Sequence, residues 1–143
     1  MGCLLGIDIG TGGARALVID ETGAVRASAA SEYPLSIPRP LWAEQHPRDW
    51  WDGVRACVPE ACAKAGVRGE DIAAIGLSGQ MHGAVFLDAR DEVIRPAILW
   101  CDQRTAAECR EITERAGRAN GRTRPHAGGL VRQVGRSDSG LVW

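Results

Sequence analysis

Leu4-Leu5-Gly6-Ile7-Asp8-Ile9-Gly10-Thr11-Gly12-Gly13-Ala14-Arg15-Ala16-Leu17-Val18-Ile19-Asp20 is the stretch that decides the fold. Two short apolar runs flank Gly10-Thr11-Gly12-Gly13, and glycine adopts the φ > 0 conformations of a tight reversal without a Cβ penalty, so a β-hairpin is expected. The first strand carries one acid, Asp8, between Ile7 and Ile9. A carboxylate is costly to bury unless a cation or hydrogen-bond donors meet it, which places Asp8 at an open strand end.

The turn beside Asp8 offers bare backbone N–H groups, the Thr11 hydroxyl and, just beyond, the Arg15 guanidinium. Successive amides in a glycine turn form a concavity for anions, and a neighbouring carboxylate can hold a hydrated Mg²⁺ that bridges phosphate oxygens. Nucleotide phosphate is the ligand this combination suits. No Gly-Lys-Ser/Thr follows, and three spaced glycines do not open a helix, so neither the Walker loop nor the dinucleotide fingerprint applies. An ordinary glycine hairpin with a solvated acid is the alternative for these residues taken alone.

Outward from the hairpin, Asp20-Glu21-Thr22-Gly23 is a second turn and residues 24–31 alternate as a third strand. Pro34, Pro38 and Pro40 make residues 32–46 an extended loop without regular pairing. Pro47 then opens a helix to Ala65, with Trp50, Val54, Cys57, Val58, Ala61, Cys62 and Ala65 on one apolar face, Gly66 as its stop and Pro59 expected to bend or break it near Arg55. Trp50 and Trp51 could stack on a sugar or base, but on such a stripe core packing is the stronger reading.

Asp71–Ser78 has the continuous apolar character of a buried central strand, and its end, Gly79-Gln80-Met81-His82-Gly83, combines glycine access with groups that read hydroxyls. A hairpin of residues 84–88 and 92–95 follows, then a short buried segment at 97–100, with Asp102 as N-cap of a helix from Gln103 to about Arg115.

Composition sets the bounds. A chain of 143 residues with 45% hydrophobic and 24% charged residues can build one globular core. No apolar run reaches bilayer length and no basic leader or cleavage site precedes the first strand, so a cytoplasmic protein is expected. Five cysteines without a CxxC pair indicate reduced thiols rather than a zinc site or disulfide framework. Residues 1–114 carry 11 basic and 17 acidic groups, whereas residues 115–143 carry six arginines against Asp138. The basic end lacks interleaved aromatics, which disfavours a nucleic-acid arm.

Gly6-Ile7-Asp8-Ile9-Gly10-Thr11 with its second strand resembles the first phosphate-binding element of the sugar kinase, hexokinase and actin superfamily. Leu77-Ser78-Gly79-Gln80-Met81-His82-Gly83 and Pro96-Ala97-Ile98-Leu99-Trp100-Cys101-Asp102-Gln103-Arg104 narrow the resemblance to the FGGY carbohydrate kinases, within which the kinases of D-xylulose are most similar. The match runs collinearly over about residues 4–115.

The resemblance implies an α/β fold with a ribonuclease H-like mixed sheet and a βββαβ core, here an incomplete N-terminal lobe. It implies ATP-dependent, Mg²⁺-assisted phosphorylation of D-xylulose to D-xylulose 5-phosphate. Asp8 serves the metal and phosphates, Thr11, Gly12, Gly13 and Arg15 contact phosphates, and Met81 and His82 hold the sugar with Gln80 as neighbour. Asp102 and Arg104 lie in a signature stretch near the same cleft, and a helix cap and an ion pair are the rival readings for them. Gly12 stands where relatives often carry Ser or Thr.

The family's base is an aspartate of a Gly-Asp-Asn type motif far downstream, a motif these residues do not contain, so no catalytic base is assigned and near-background turnover is expected. The expected domains are a kinase-like part at residues 1–115 and an irregular Arg/Gly-rich tail at 116–143, read as a truncation or reading-frame artefact. D-xylulose and ATP are the expected partners, with no nucleic acid and no membrane, and homo-oligomer formation is left open. A non-catalytic ketose-binding or regulatory module, or a kinase of another polyol such as ribulose or glycerol, is the competing function.

Overall fold

The computed structural model describes residues 2–120. Three antiparallel strands, β1 (Cys3–Ile9), β2 (Gly13–Ile19) and β3 (Val25–Glu32), lead through the short β4 (Glu44–Gln45) into helix α1 (Pro47–Ala65). β5 (Ile72–Gly79) returns parallel to β1, giving a mixed four-stranded sheet in the order β3-β2-β1-β5. The βββαβ order is therefore realised. The parallel return of β5 brings the loops after β1 and after β5 to one end of the sheet, and the Gln80 amide continues the ladder by donating to Ile9 O at 2.8 Å.

The core lies between α1 and one face of β1 to β3. Leu5, Ala14, Ala16, Val18 and Ala29 from the sheet meet Cys57 and Ala61 of the helix, all buried. Small residues let the layers approach closely. A Cβ built on Gly53 would lie 3.2 Å from Ala14 Cβ and 3.1 Å from the Tyr33 ring, so glycine is what the contact admits. α1 begins with His46 Nδ1 accepting from the Arg48 amide and Pro47 at its start, and ends at Gly66 (φ 68°), whose amide donates to Ala63 O while that of Val67 donates to Cys62 O. Pro59 does not break it: Pro59 and Arg55 both lie on the exposed side, where water can serve the freed carbonyl.

Several expectations are corrected. Glycines 10, 12 and 13 do not have positive φ, which among the described glycines is confined to Gly23 and Gly66. Space explains Gly13 instead, since a Cβ there would lie 2.7 Å from Ser31 O. The proline-rich segment is not wholly unpaired, because Glu44–Gln45 pairs with β6 (Ala97–Ile98) in a separate two-stranded sheet. Among the described residues β5 is the last strand of the sheet, with Ile75 60% and Leu77 58% exposed, because α1 packs chiefly on β2 and β3. Residues 84–95 form isolated bridges, Leu87 with Val93 and Ala84 with Ile98, rather than paired strands.

The last helix, α2 (Ala106–Asn120), starts three residues late and runs past Arg115, so residues 116–120 are helical rather than irregular. Asp102 does not cap it, being engaged elsewhere. The remaining tail, 121–143, lies outside the described residues. Among them no helix is long and apolar enough to cross a membrane.

Candidate functional site

Strand β1 ends by delivering Asp8 opposite Arg15 of β2 and Ser78 of β5. Neither Asp8 nor Arg15 forms an ion pair among the described residues. The chain then turns through Gly10–Gly13, closed by the Gly10 amide donating to Gly13 O at 3.0 Å. The Thr11 and Gly12 amides meet no acceptor among the described residues, so two N–H groups remain free beside the carboxylate. These residues line a concavity of about 370 Å³ whose far wall is Ala30, Ser31 and Glu32 of β3.

Tyr33 supports the turn from below, its hydroxyl donating to Gly10 O. Burial first, then the nearby charges of Asp8 and Cys57, push its pKa up to about 12, so the phenol stays a donor.

The second loop is bound to the first. Thr11 Oγ1 donates to Gln80 Oε1 at 3.2 Å and accepts from Trp100 Nε1 at 3.1 Å. Gln80 Nε2 donates to Gln45 Oε1 at 3.0 Å, and Gln45 Nε2 returns to Thr11 O at 2.7 Å. Beyond Gln80, Met81 is 70% exposed and His82 is exposed with φ 61°. A non-glycine residue held in the left-handed region is uncommon and marks a constrained loop. Met81 and His82 thus share the sheet end with Asp8, although neither lines the concavity.

Asp102 and Arg104 are engaged with each other and with residues 42–44. The Arg104 guanidinium donates to Asp102 Oδ1 and Oδ2 and, at 2.7 Å, to Glu44 Oε1, while stacking 3.7 Å from the Trp42 ring centroid. Asp102 Oδ2 also accepts from the Ala43 amide at 2.7 Å, and Glu44 takes a second arginine, Arg95, at 2.7 Å. Burial disfavours the Asp102 carboxylate, but the hydrogen bonds from Arg104 and the Ala43 amide outweigh it and hold the carboxyl below the usual range. The same carboxylate holds Arg104 more firmly protonated. The pair's visible task is to fasten the 39–45 segment to residues 95–104.

Gln45, Tyr33 and Trp100 escaped the sequence reading. Nothing in Glu44-Gln45-His46 announces a buried glutamine, 2% exposed here. Trp100 stood in a quoted signature stretch, which was the available signal.

No group of three His, Cys, Asp or Glu gathers among the described residues. Mg²⁺, however, is ordinarily held by one or two carboxylates plus substrate phosphates, and Asp8 beside two free amides fits that mode.

A mixed four-stranded sheet in the order β3-β2-β1-β5 with its crossover helix is an actin- and hexokinase-like fold. The chain matches the FGGY family of carbohydrate kinases, N-terminal domain, over residues 3–143. It is 42% identical over 105 residues to the xylulose kinase of Escherichia coli (strain K12), covering 73% of this chain and 21% of that protein. It is 40% identical over 118 residues to the glycerol kinase of Delftia acidovorans, covering 82% of this chain and 24% of that one. The solved xyloylose kinase of Brucella ovis superposes with a TM-score of 0.75 at 43% identity, covering 82% of this chain and 25% of that chain. The chain belongs to the FGGY family of carbohydrate kinases and spans about a quarter of the length of these relatives.

Proposed function

We propose that this chain supplies the phosphate clamp and part of the sugar pocket of a kinase that transfers the γ-phosphoryl of Mg·ATP to D-xylulose, giving D-xylulose 5-phosphate. One observation carries the reading: the turn beside Asp8 and the loop holding Met81 and His82 emerge at one sheet end and are hydrogen-bonded to each other.

Phosphoryl transfer asks a protein mainly for positioning and charge stabilisation. The free Thr11 and Gly12 amides donate hydrogen bonds to phosphate oxygens, Gly13 keeps the backbone within reach, and Arg15 adds a cation. Asp8 would hold Mg²⁺, which would supply neutralisation of the phosphate charge. Met81 and His82 contact the ketose, with Gln80 orienting the loop. Asp102 and Arg104 reach the sugar only indirectly, by holding the segment that carries Trp100. A base for the sugar hydroxyl is not assigned to any residue of this chain.

The test is a titration of the full chain with Mg·ATP and with D-xylulose, D-ribulose and glycerol, alongside a coupled ADP-release assay. Saturable D-xylulose binding at lower concentration than the other polyols is expected, with turnover at background. Glycerol is the informative competitor, because glycerol kinases are as similar in sequence as several xylulose kinases. Preference for glycerol overturns the sugar, and sugar-dependent turnover overturns the missing base.

A further inference from the structure

Gln45 is fully engaged. Its Nε2 donates to two carbonyls, Thr11 O at 2.7 Å and Pro34 O at 3.3 Å, and its Oε1 accepts from two donors, Trp50 Nε1 at 2.9 Å and Gln80 Nε2 at 3.0 Å. A side-chain amide has two N–H groups and two acceptor lone pairs, so all four positions are used and the amide cannot be reversed without setting donors against donors. It closes a ring: Thr11 hydroxyl to Gln80, Gln80 to Gln45, Gln45 to the Thr11 carbonyl.

We infer that Gln45 is a positioning residue that locks the phosphate-facing turn to the sugar-facing loop, so that neither takes up its binding geometry independently of the other. The inference rests on the site reading above and extends it to a residue that touches neither ligand. Trp50 fixes the orientation of the Gln45 amide from the helix, and Trp100 braces Thr11 from the opposite side. Gln45 is buried and its ring partners Thr11 and Gln80 are half-buried, so leaving the Gln45 amide without a partner costs its desolvation, which is what makes the two loops move together.

The experiment uses the ¹⁵N-labelled full chain with Gln45→Met, which keeps the volume and removes every polar contact, and Trp50→Phe, which removes only the donor orienting Gln45. Expected is movement of the Thr11 and Gly12 amide signals together with those of Gln80 and Gly83, and at least ten-fold weaker binding of both Mg·ATP and D-xylulose. A purely structural role would lower the unfolding midpoint while leaving both affinities and the loop signals of the folded protein as in the parent. Shifts confined to one loop, or loss of one ligand with the other unchanged, overturn the inference. Should Gln45→Met fail to fold, Trp50→Phe decides by the same two-loop criterion. If the parent chain binds neither ligand, the site reading fails, while the amide signals still decide whether the loops are locked.

Discussion

At the scale of single residues, adjacent glycines behave differently. The position of a Cβ on Gly12 meets nothing within 4 Å, whereas on Gly13 it would lie 2.7 Å from Ser31 O and 3.1 Å from Glu32 Cα. Backbone cannot yield as a flexible side chain does, so Gly13→Ala is expected to cost about 1–3 kcal/mol, the range for overpacking. Gly12→Ser is expected to fold with the parent's stability and to restore the hydroxyl that relatives often carry there. Urea unfolding of both variants checks the contrast. Asp102 gives a pH prediction. Its folded pKa lies below the ordinary aspartate value of 3.8, so its stabilising contribution is present above that value and is lost as pH falls through the lower folded one. Between pH 7 and 5 the urea midpoint should not respond to this group. Below about pH 4 the parent should lose stability faster than Asp102→Asn, which at neutral pH should already be less stable by about 2 kcal/mol, the worth of hydrogen bonds to a charged group. A variant equal to the parent at pH 7 would show that the Asp102–Arg104–Glu44 cluster fastens nothing.

At the scale of elements, burial separates strands that read alike. Val18 of β2 is fully buried under α1, while Leu77 of β5 is 58% exposed. Val18→Ala removes two methyls from a packed site and should cost about 2 kcal/mol, counting transfer and cavity. Leu77→Ala should stay within about 1 kcal/mol, because most of that side chain already meets water. Thermal midpoints of the two variants, side by side, test the statement that the core lies on β1 to β3 and not on β5. Element identity was largely legible: the apolar stripe of α1, its Pro47 start and its Gly66 stop all appear where residue spacing put them. The position of β5 within the sheet was not. An unbroken apolar run reports that a strand suits burial on both faces, but what covers it is decided by chain beyond the run.

At the scale of the whole molecule, the small sheet reaches the loops at the end of the large one through polar side chains. Glu44 and Gln45 of the small sheet differ in their partners, one gathering Arg95 and Arg104, the other reaching Thr11 and Gln80. Background ADP release by the full chain, with retained polyol binding, is the outcome expected of such half-assembled chemistry. By itself the sequence determined the hairpin, the acid at its tip, the crossover helix and the family, because turn glycines, apolar periodicity and collinear motifs are local properties. Only the tertiary structure decided that Gln45 is buried between the two loops, that Asp102 and Arg104 bind each other and Glu44, and that β5 ends the sheet among the described residues. Each of these depends on which distant groups meet a side chain. A glutamine or an aspartate has the same local pattern whether its partner is water, a ligand or a carbonyl 34 residues away, as Thr11 is from Gln45.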